Sequence, residues 1–301
     1  MSLVVGLDPA HRSTAVLHLA AMLARSAGTD LVVAAVLPQT WPMAAGRPDA
    51  EWRGYTRDAA NLVLDHAAAV LGGSVRAEYL VHEASSARRG LAELAVERGA
   101  ALIVIGSSSV APVGRIALGS ESDALLHASP VPVAIAPRGF RAAEDARVGR
   151  VTAAFRGTDS SGDLVLGAAG VAAAVGAELR LASFAVVPPE SGTSGAGLDA
   201  EKRIALQWTE DIGRQAEDLL AQVSHLEDAP RIAGTEIGMG DGWDSAMAQV
   251  AWRPDEVLVV GSSTLGPIAR VFLGSHAAKV VRHSPVPVVV VPRGAAVPDL
   301  D

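Results

Sequence analysis

The chain has no cysteine among its 301 residues. That excludes disulfides, thiolate metal centres and cysteine nucleophiles, and nothing in the sequence calls for an oxidising compartment. Aromatic residues make up only 4%, so any core must be built from Ala, Val, Leu and Ile. No apolar run reaches the ~18–20 residues that a membrane-spanning helix needs. The amino terminus, Met1-Ser2-Leu3-Val4-Val5-Gly6-Leu7-Asp8, lacks the basic start and long apolar segment of a secretion signal and reads as a strand. Basic clusters are missing too. Lys and Arg total 25 against 33 acidic residues, a net charge of −8, and scattered basic residues do not suit a nucleic-acid partner. The expectation is a cytoplasmic protein with neither nucleic acid nor membrane as a partner.

What the chain does contain is a stretch written twice. Its first copy reads Leu102-Ile103-Val104-Ile105-Gly106-Ser107-Ser108-Ser109, then Gly119-Ser120, then Ser129-Pro130-Val131-Pro132-Val133, and closes at Pro137-Arg138-Gly139. The second copy reads Leu258-Val259-Val260-Gly261-Ser262-Ser263-Thr264, then Gly274-Ser275, then Ser284-Pro285-Val286-Pro287-Val288, and closes at Pro292-Arg293-Gly294. The two copies stand 155 residues apart throughout, which makes the chain a tandem duplication. The period divides it into a first domain over 1–138, a linker over 139–149, a second domain over 150–294 and a tail over 295–301.

Within each copy, short apolar strands alternate with helical periodicity. In the first, strands are expected at Leu3–Leu7, Leu31–Leu37, Ser74–Val81, Leu102–Ile105 and Val131–Ala136. A helix carrying Val16, Leu19, Ala20 and Leu23 ends at Gly28. Residues 39–52, with Trp41, Pro42, Pro48 and Trp52, read as an irregular connection, either a surface loop pinned by its tryptophans or a cover over a ligand. In the second copy, Leu179–Val187 is the second strand, 188–197 a Gly/Ser/Pro loop, Leu198–Val223 a helix and Arg231–Ile237 the third strand. Gly238-Met239-Gly240-Asp241-Gly242 reads as a turn before a helix over Trp243–Trp252. Strands alternating with helices imply an α/β fold with a parallel sheet covered on both faces, whose ligands sit at the carboxyl ends of the strands.

Each signature couples a strand-ending glycine to a Gly-Ser at a helix start, where serine is expected as the N-cap and exposed amides attract a phosphate. Glycine, two residues, a small residue, nine residues and Gly-Ser, followed by a Pro-Val-Pro-Val strand, resembles the nucleotide-binding signature of the universal stress protein family, twice over. The resemblance implies two tandem doubly wound five-stranded parallel-sheet domains with strand order 3-2-1-4-5. It implies ATP or a related adenine nucleotide as ligand, alone or with Mg, a role in the stress response, and association through the fifth strands, within the chain or between chains. ATP-binding relatives carry glycine where this chain has Ser109 and Thr264. If that position needs backbone angles reserved for glycine, Ser109 strains the loop by about 1 kcal/mol or more; if it needs only a small residue, the hydroxyl adds a donor.

The candidate ligand-binding residues of the first copy are Asp8, Val36, Gly106, Ser107, Ser109, Gly119, Ser120 and Ser122. Those of the second are Gly261, Ser262, Gly274 and Ser275. The adenine is expected near Val36 and Leu37, the phosphates across Gly106, Ser107, Gly119 and Ser120. In the second copy Arg156 replaces Asp8 and Ala277 replaces Ser122, so nucleotide is expected mainly in the first. Arg156 reads either as an anion contact or as a surface arginine. No G-x-S-x-G elbow is present, His127 and His283 read as structural, and no histidine has a partner at metal-ligand spacing. A binding protein rather than an enzyme is expected, with any ATP hydrolysis slow; the alternative is an interaction scaffold that binds no nucleotide.

Overall fold

The computed structural model describes residues 1–11, 13–39, 50–187, 198–262 and 274–292. The first copy runs β1 (Ser2–Leu7), α1 (Ala15–Ala27), β2 (Asp30–Pro38), α2 (Ala50–Leu71), β3 (Ala77–Ala84), α3 (Ala87–Glu97), β4 (Ala100–Gly106), α4 (Ser120–Ala128) and β5 (Val133–Ala136). The second repeats it as β6 (Arg150–Ala154), α5 (Asp159–Val175), β7 (Glu178–Val186), α6 (Leu198–Val223), β8 (Ile232–Gly240), α7 (Trp243–Ala248), β9 (Glu256–Gly261), α8 (Ser275–His283) and β10 (Val288–Val291). Helices α1 and α5 stop where glycine takes up a left-handed conformation, at Gly28 (φ 65°) and Gly176 (φ 69°). Each glycine amide returns to a carbonyl of the last turn, which a residue with a Cβ would do at a steric cost.

Each half has strand order 3-2-1-4-5, all parallel, and the two sheets are one. The continuous order is β3-β2-β1-β4-β5-β10-β9-β6-β7-β8. Its centre is an antiparallel pair in which Val288 faces Ile135, Val289 faces Ala134 and Val290 faces Val133. The expected fifth-strand association therefore takes its intrachain form. One apolar layer, with α1, α2, α5 and α6, packs on one face of this sheet. A second, with α3, α4, α7 and α8, packs on the other.

Several boundaries differ from expectation. The first copy's fifth strand begins at Val133, two residues late, and the second's at Val288, because a serine hydroxyl organises the segment ahead of each. Ser129 Oγ donates to the Val131 carbonyl (2.6 Å) and Ser284 Oγ to that of Val286 (2.8 Å). Gly238 and Gly240 belong to strand β8 rather than to a turn. A Cβ on Gly238 would stand 2.1 Å from the Ala246 carbonyl oxygen, so these glycines let α7 lie directly on the strand. Helix α7 ends at Ala248, and Trp252 beyond it donates from Nε1 to the Met247 carbonyl (2.9 Å). Residues 50–52, expected in a connection, open α2. Residues 40–49, with Trp41, Pro42 and Pro48, the 188–197 loop, Ser263 and Thr264, Arg293 and Gly294, and the 295–301 tail lie outside the described residues.

The end of the 139–149 segment is bonded to both copies. Ser26 Oγ accepts from the Val148 amide (2.8 Å), Arg25 Nε donates to the Ala146 carbonyl (3.0 Å), and the Gly149 amide donates to the Asp255 carbonyl (2.8 Å).

The halves differ most inside the second. Where β1 and β2 place Val4 beside Val32, β6 and β7 place Thr152 beside Arg180. Arg180 is 1% exposed and Glu256 0%. The guanidinium donates to Glu256, to Glu236 Oε1 (2.7 Å), to Thr152 Oγ1 (3.1 Å) and to the Ala251 carbonyl (3.0 Å), with Cζ 5.1 Å from the Trp252 ring centroid. Removing Glu256 takes one carboxylate from the buried guanidinium and leaves it Glu236, and it strands the groups that Glu256 bonds. Glu256→Ala is expected to cost about 3–5 kcal/mol in urea unfolding, and the apolar double change Arg180→Met/Glu256→Leu to recover most of it. Equal losses from the single and double variants would contradict this account.

Candidate functional site

Strand β4 carries the chain to the carboxyl edge of the sheet, where Gly106 releases the signature loop. Two hydrogen bonds close the loop's neck. The Ser107 hydroxyl accepts from the Ala117 amide (2.9 Å), and the Ser108 amide donates to the Ala117 carbonyl (2.9 Å). The Ser107 side chain is thus occupied in holding the loop. Arg138, from the closing Pro-Arg-Gly, braces the far side: its amide donates to the Arg115 carbonyl (3.0 Å), its carbonyl accepts from the Gly114 amide (2.8 Å), and Nη1 donates to the Ala111 carbonyl (2.6 Å). Residue-type reasoning missed Arg138, although its fixed place in the repeat was the available signal.

Ser109 stands in a turn closed by the Ala111 amide on the Ser108 carbonyl (3.1 Å). No non-glycine residue among the described ones has positive φ, and Ser109 is exposed at the cavity edge. Of the two expectations for this position, glycine-only strain is excluded.

Helix α4 starts differently from expectation. Its N-cap is Gly119 (φ −80°, ψ 171°), with no side-chain cap, and Ser120 is its first helical residue. Asp123 makes the first helical bond, to the Gly119 carbonyl (2.9 Å), so the amides of Ser120, Glu121 and Ser122 have no acceptor within the helix. A Cβ built on Gly119 meets nothing within 4 Å, and one on Gly106 only Val16 Cβ at 3.8 Å. The space in front of these glycines is open.

That space belongs to a cavity of about 720 Å³ at the carboxyl ends of β1, β2 and β4. All eight first-copy candidates line it: Asp8, Val36, Gly106, Ser107, Ser109, Gly119, Ser120 and Ser122. Val36 is nearly buried on one wall. Asp8 sits on the rim, where Oδ1 accepts from the Ala10 amide (2.9 Å) and Oδ2 meets His11 Nδ1 (2.8 Å). Arg88 and Arg138 supply positive charge to the lining. Glu121 opposes it, with its carboxylate accepting from the Arg88 amide (3.3 Å).

The second copy does not bring its four candidates together among the described residues. Gly261 and Ser262 line an apolar cavity of about 230 Å³ between α1 and α5, while Gly274 and Ser275 form the N-cap and first residue of α8. The counterpart of the first cleft is a cavity of about 410 Å³ with Phe184 where Val36 stood, Trp243 where Ala87 stood and Arg156 where Asp8 stood. His276 lies edge-on to Trp243, ring centroids 4.8 Å apart. Burial, then the neighbouring Arg156 and Lys279 charges, push the imidazole down to about 4. The two histidines at the ends of the post-signature helices have local partners: His127 Nδ1 bonds the Asp123 carbonyl (2.6 Å), and His283 Nδ1 meets Asp244 Oδ1 (3.0 Å). Among the described residues no three His, Asp or Glu side chains converge to hold a metal, and no helix is long and apolar enough to cross a membrane.

The sequence profile of the Universal stress protein family matches residues 1–137 and again 148–292. The chain belongs to the universal stress protein family. A universal stress protein of Mycobacterium tuberculosis and one of Mycobacterium bovis are each 34% identical to it over 303 aligned residues, covering 97% of this chain and all of theirs. The same two-copy fold occurs in a universal stress protein of Archaeoglobus fulgidus (TM-score 0.62, 21% identity, 97% of this chain and 98% of that one).

Two predictions follow from the geometry of this universal stress protein. Because Ser109 is unstrained, Ser109→Gly should leave stability unchanged or lower it by about 0.4–1 kcal/mol through a freer unfolded chain; a higher melting temperature would reveal strain. His276 has a folded value below the 6.5 of the free side chain, so between these pH values the unfolded state binds more protons. Its contribution is fully present above pH 6.5 and is lost as pH falls toward 4. His276→Gln should flatten this part of the pH dependence in urea titrations at pH 7.5, 6 and 5, and an unchanged slope would refute the assignment.

Proposed function

We propose that the first half of this universal stress protein binds ATP or a related adenine nucleotide as a regulatory ligand in a cytoplasmic stress response. The observation that supports the reading is the open space at Gly119 and Gly106, beside the unbonded amides that begin α4, in a cavity of about 720 Å³. A helix start with free amides favours phosphate, and missing Cβ atoms let backbone approach it. In this reading Val36 supplies an apolar wall for the base, and Asp8 accepts hydrogen bonds from sugar hydroxyls. The amides of Ser120 to Ser122, with Ser109 and Ser120 hydroxyls, receive the phosphates, and Ser107 acts indirectly by fixing the loop. Any Mg would be carried mainly by the phosphates themselves.

The same lining argues for binding over turnover. Among the described residues it offers no lysine to stabilise charge on a transferring phosphoryl group, so we read the protein as a nucleotide sensor whose ATP hydrolysis, if measured, is slow. As an interaction scaffold without nucleotide it would have to dock partners elsewhere than on its fifth strands, which pair with each other.

Isothermal titration with ATP, ADP and AMP tests the reading on the full chain. Gly119→Ala meets no atom of the protein itself, so the variant should melt within about 1 °C of the parent yet bind at least 10-fold more weakly, the added methyl group occupying ligand space. Heat from both proteins alike would refute the phosphate placement, and silence from the parent would favour the scaffold.

A further inference from the structure

The second cleft differs from the first in ways that loss of function alone does not require. Its walls are aromatic, with Phe155, Phe184, Trp208 and Trp243 taking part, in a chain with only 4% aromatic residues. Its charge is of one sign. Arg156 and Lys279 face it, no carboxylate lines it among the described residues, and neither cation has an ion-pair partner among them. Both are exposed, and Lys279 Nζ lies 5.8 Å from the Trp243 ring centroid. Two cations without an ion-pair partner among the described residues, at a concave aromatic surface, match a ligand that is flat and negatively charged.

The substitutions also select against a nucleotide. Phe184 and Trp243 are bulkier than the Val36 and Ala87 that stand at these places in the first copy, and the cavity measures about 410 against 720 Å³. Arg156 replaces the acceptor that Asp8 presents, and a guanidinium can only donate. Its planar fork matches a carboxylate with two parallel hydrogen bonds.

We infer that the second cleft is a separate site for a small aromatic carboxylate, whose ring lies among the indole and phenyl groups and whose anion meets Arg156 and Lys279. The site shares no residue with the nucleotide cleft, so it stands or falls independently of the function proposed above.

Titration calorimetry of the full chain with benzoate, benzamide and acetate separates the two components of recognition. Benzoate should bind saturably. Benzamide, which keeps the ring without the charge, and acetate, which keeps the charge without the ring, should each bind at least fivefold more weakly. Arg156→Gln and Lys279→Gln, both at exposed positions and checked for folding by circular dichroism, should each weaken benzoate at least fivefold and leave the ATP titration unchanged. Absence of saturable benzoate binding, a smaller discrimination against either analogue, variants that bind benzoate as the parent does, or displacement of benzoate by ATP would each overturn the inference. Silence toward ATP alone would not touch it.

Discussion

Three residue pairs at the centre of the sheet hold the two copies in one body. Val133, Ala134 and Ile135 meet Val290, Val289 and Val288 across an antiparallel ladder, and every residue of β5 is buried. A sheet of order 3-2-1-4-5 leaves its fifth strand as an open edge, with a row of unpaired amides and carbonyls that invites association. Duplication supplies a second edge of the same sequence character on the same chain. Joining the two satisfies both rows at once, and the bonded segment between Ala143 and Gly149 keeps the copies together at an effective concentration no separate partner need match.

That junction fixes where chemistry can happen. Since β5 and β10 run antiparallel, the carboxyl ends of the first copy's strands and those of the second open at opposite ends of the common sheet, and neither cleft borrows residues from the other. Each has therefore been free to take its own lining. The first keeps small residues and an acidic rim at Asp8; the second has gained Phe184, Trp243 and Arg156. The buried Arg180–Glu256 pair belongs to the same divergence, but its guanidinium spends its bonds on Glu256, Glu236, Thr152 and the Ala251 carbonyl, all within the second copy, which makes it architecture.

Much of this was legible in the sequence, for identifiable reasons. The constant spacing between Gly106 and Gly261, Gly119 and Gly274, and Pro137 and Pro292 disclosed the duplication, and the strand-ending Gly106 placed the first cleft, because sheet topology sends all parallel strand ends to one edge. The eight first-copy residues meet in one cavity for that reason. Where the reading failed, a side chain had a local partner that spacing does not display. Ser129 and Ser284 fold back on their own segments and delay the fifth strands, and Gly119 itself is the N-cap assigned to Ser120. Gly238 and Gly240, which read as a turn in sequence, are small because a helix backbone passes over them. Glycine marks a close approach without saying what approaches.

Ser109 shows the same ambiguity from the other side. A glycine in relatives at this position invites the conclusion that its backbone angles are special, yet the turn that Ser108 and Ala111 close is compatible with an ordinary residue. Ser109 stands there at an exposed edge with ordinary backbone angles. The loop's conformation is instead set by groups that lie outside the glycine pattern: the Ser107 hydroxyl at the neck and the Arg138 guanidinium on the far side. A loop held at both ends by side chains does not need a third glycine to find its shape, and replacing that glycine with serine leaves the open space at Gly119 intact.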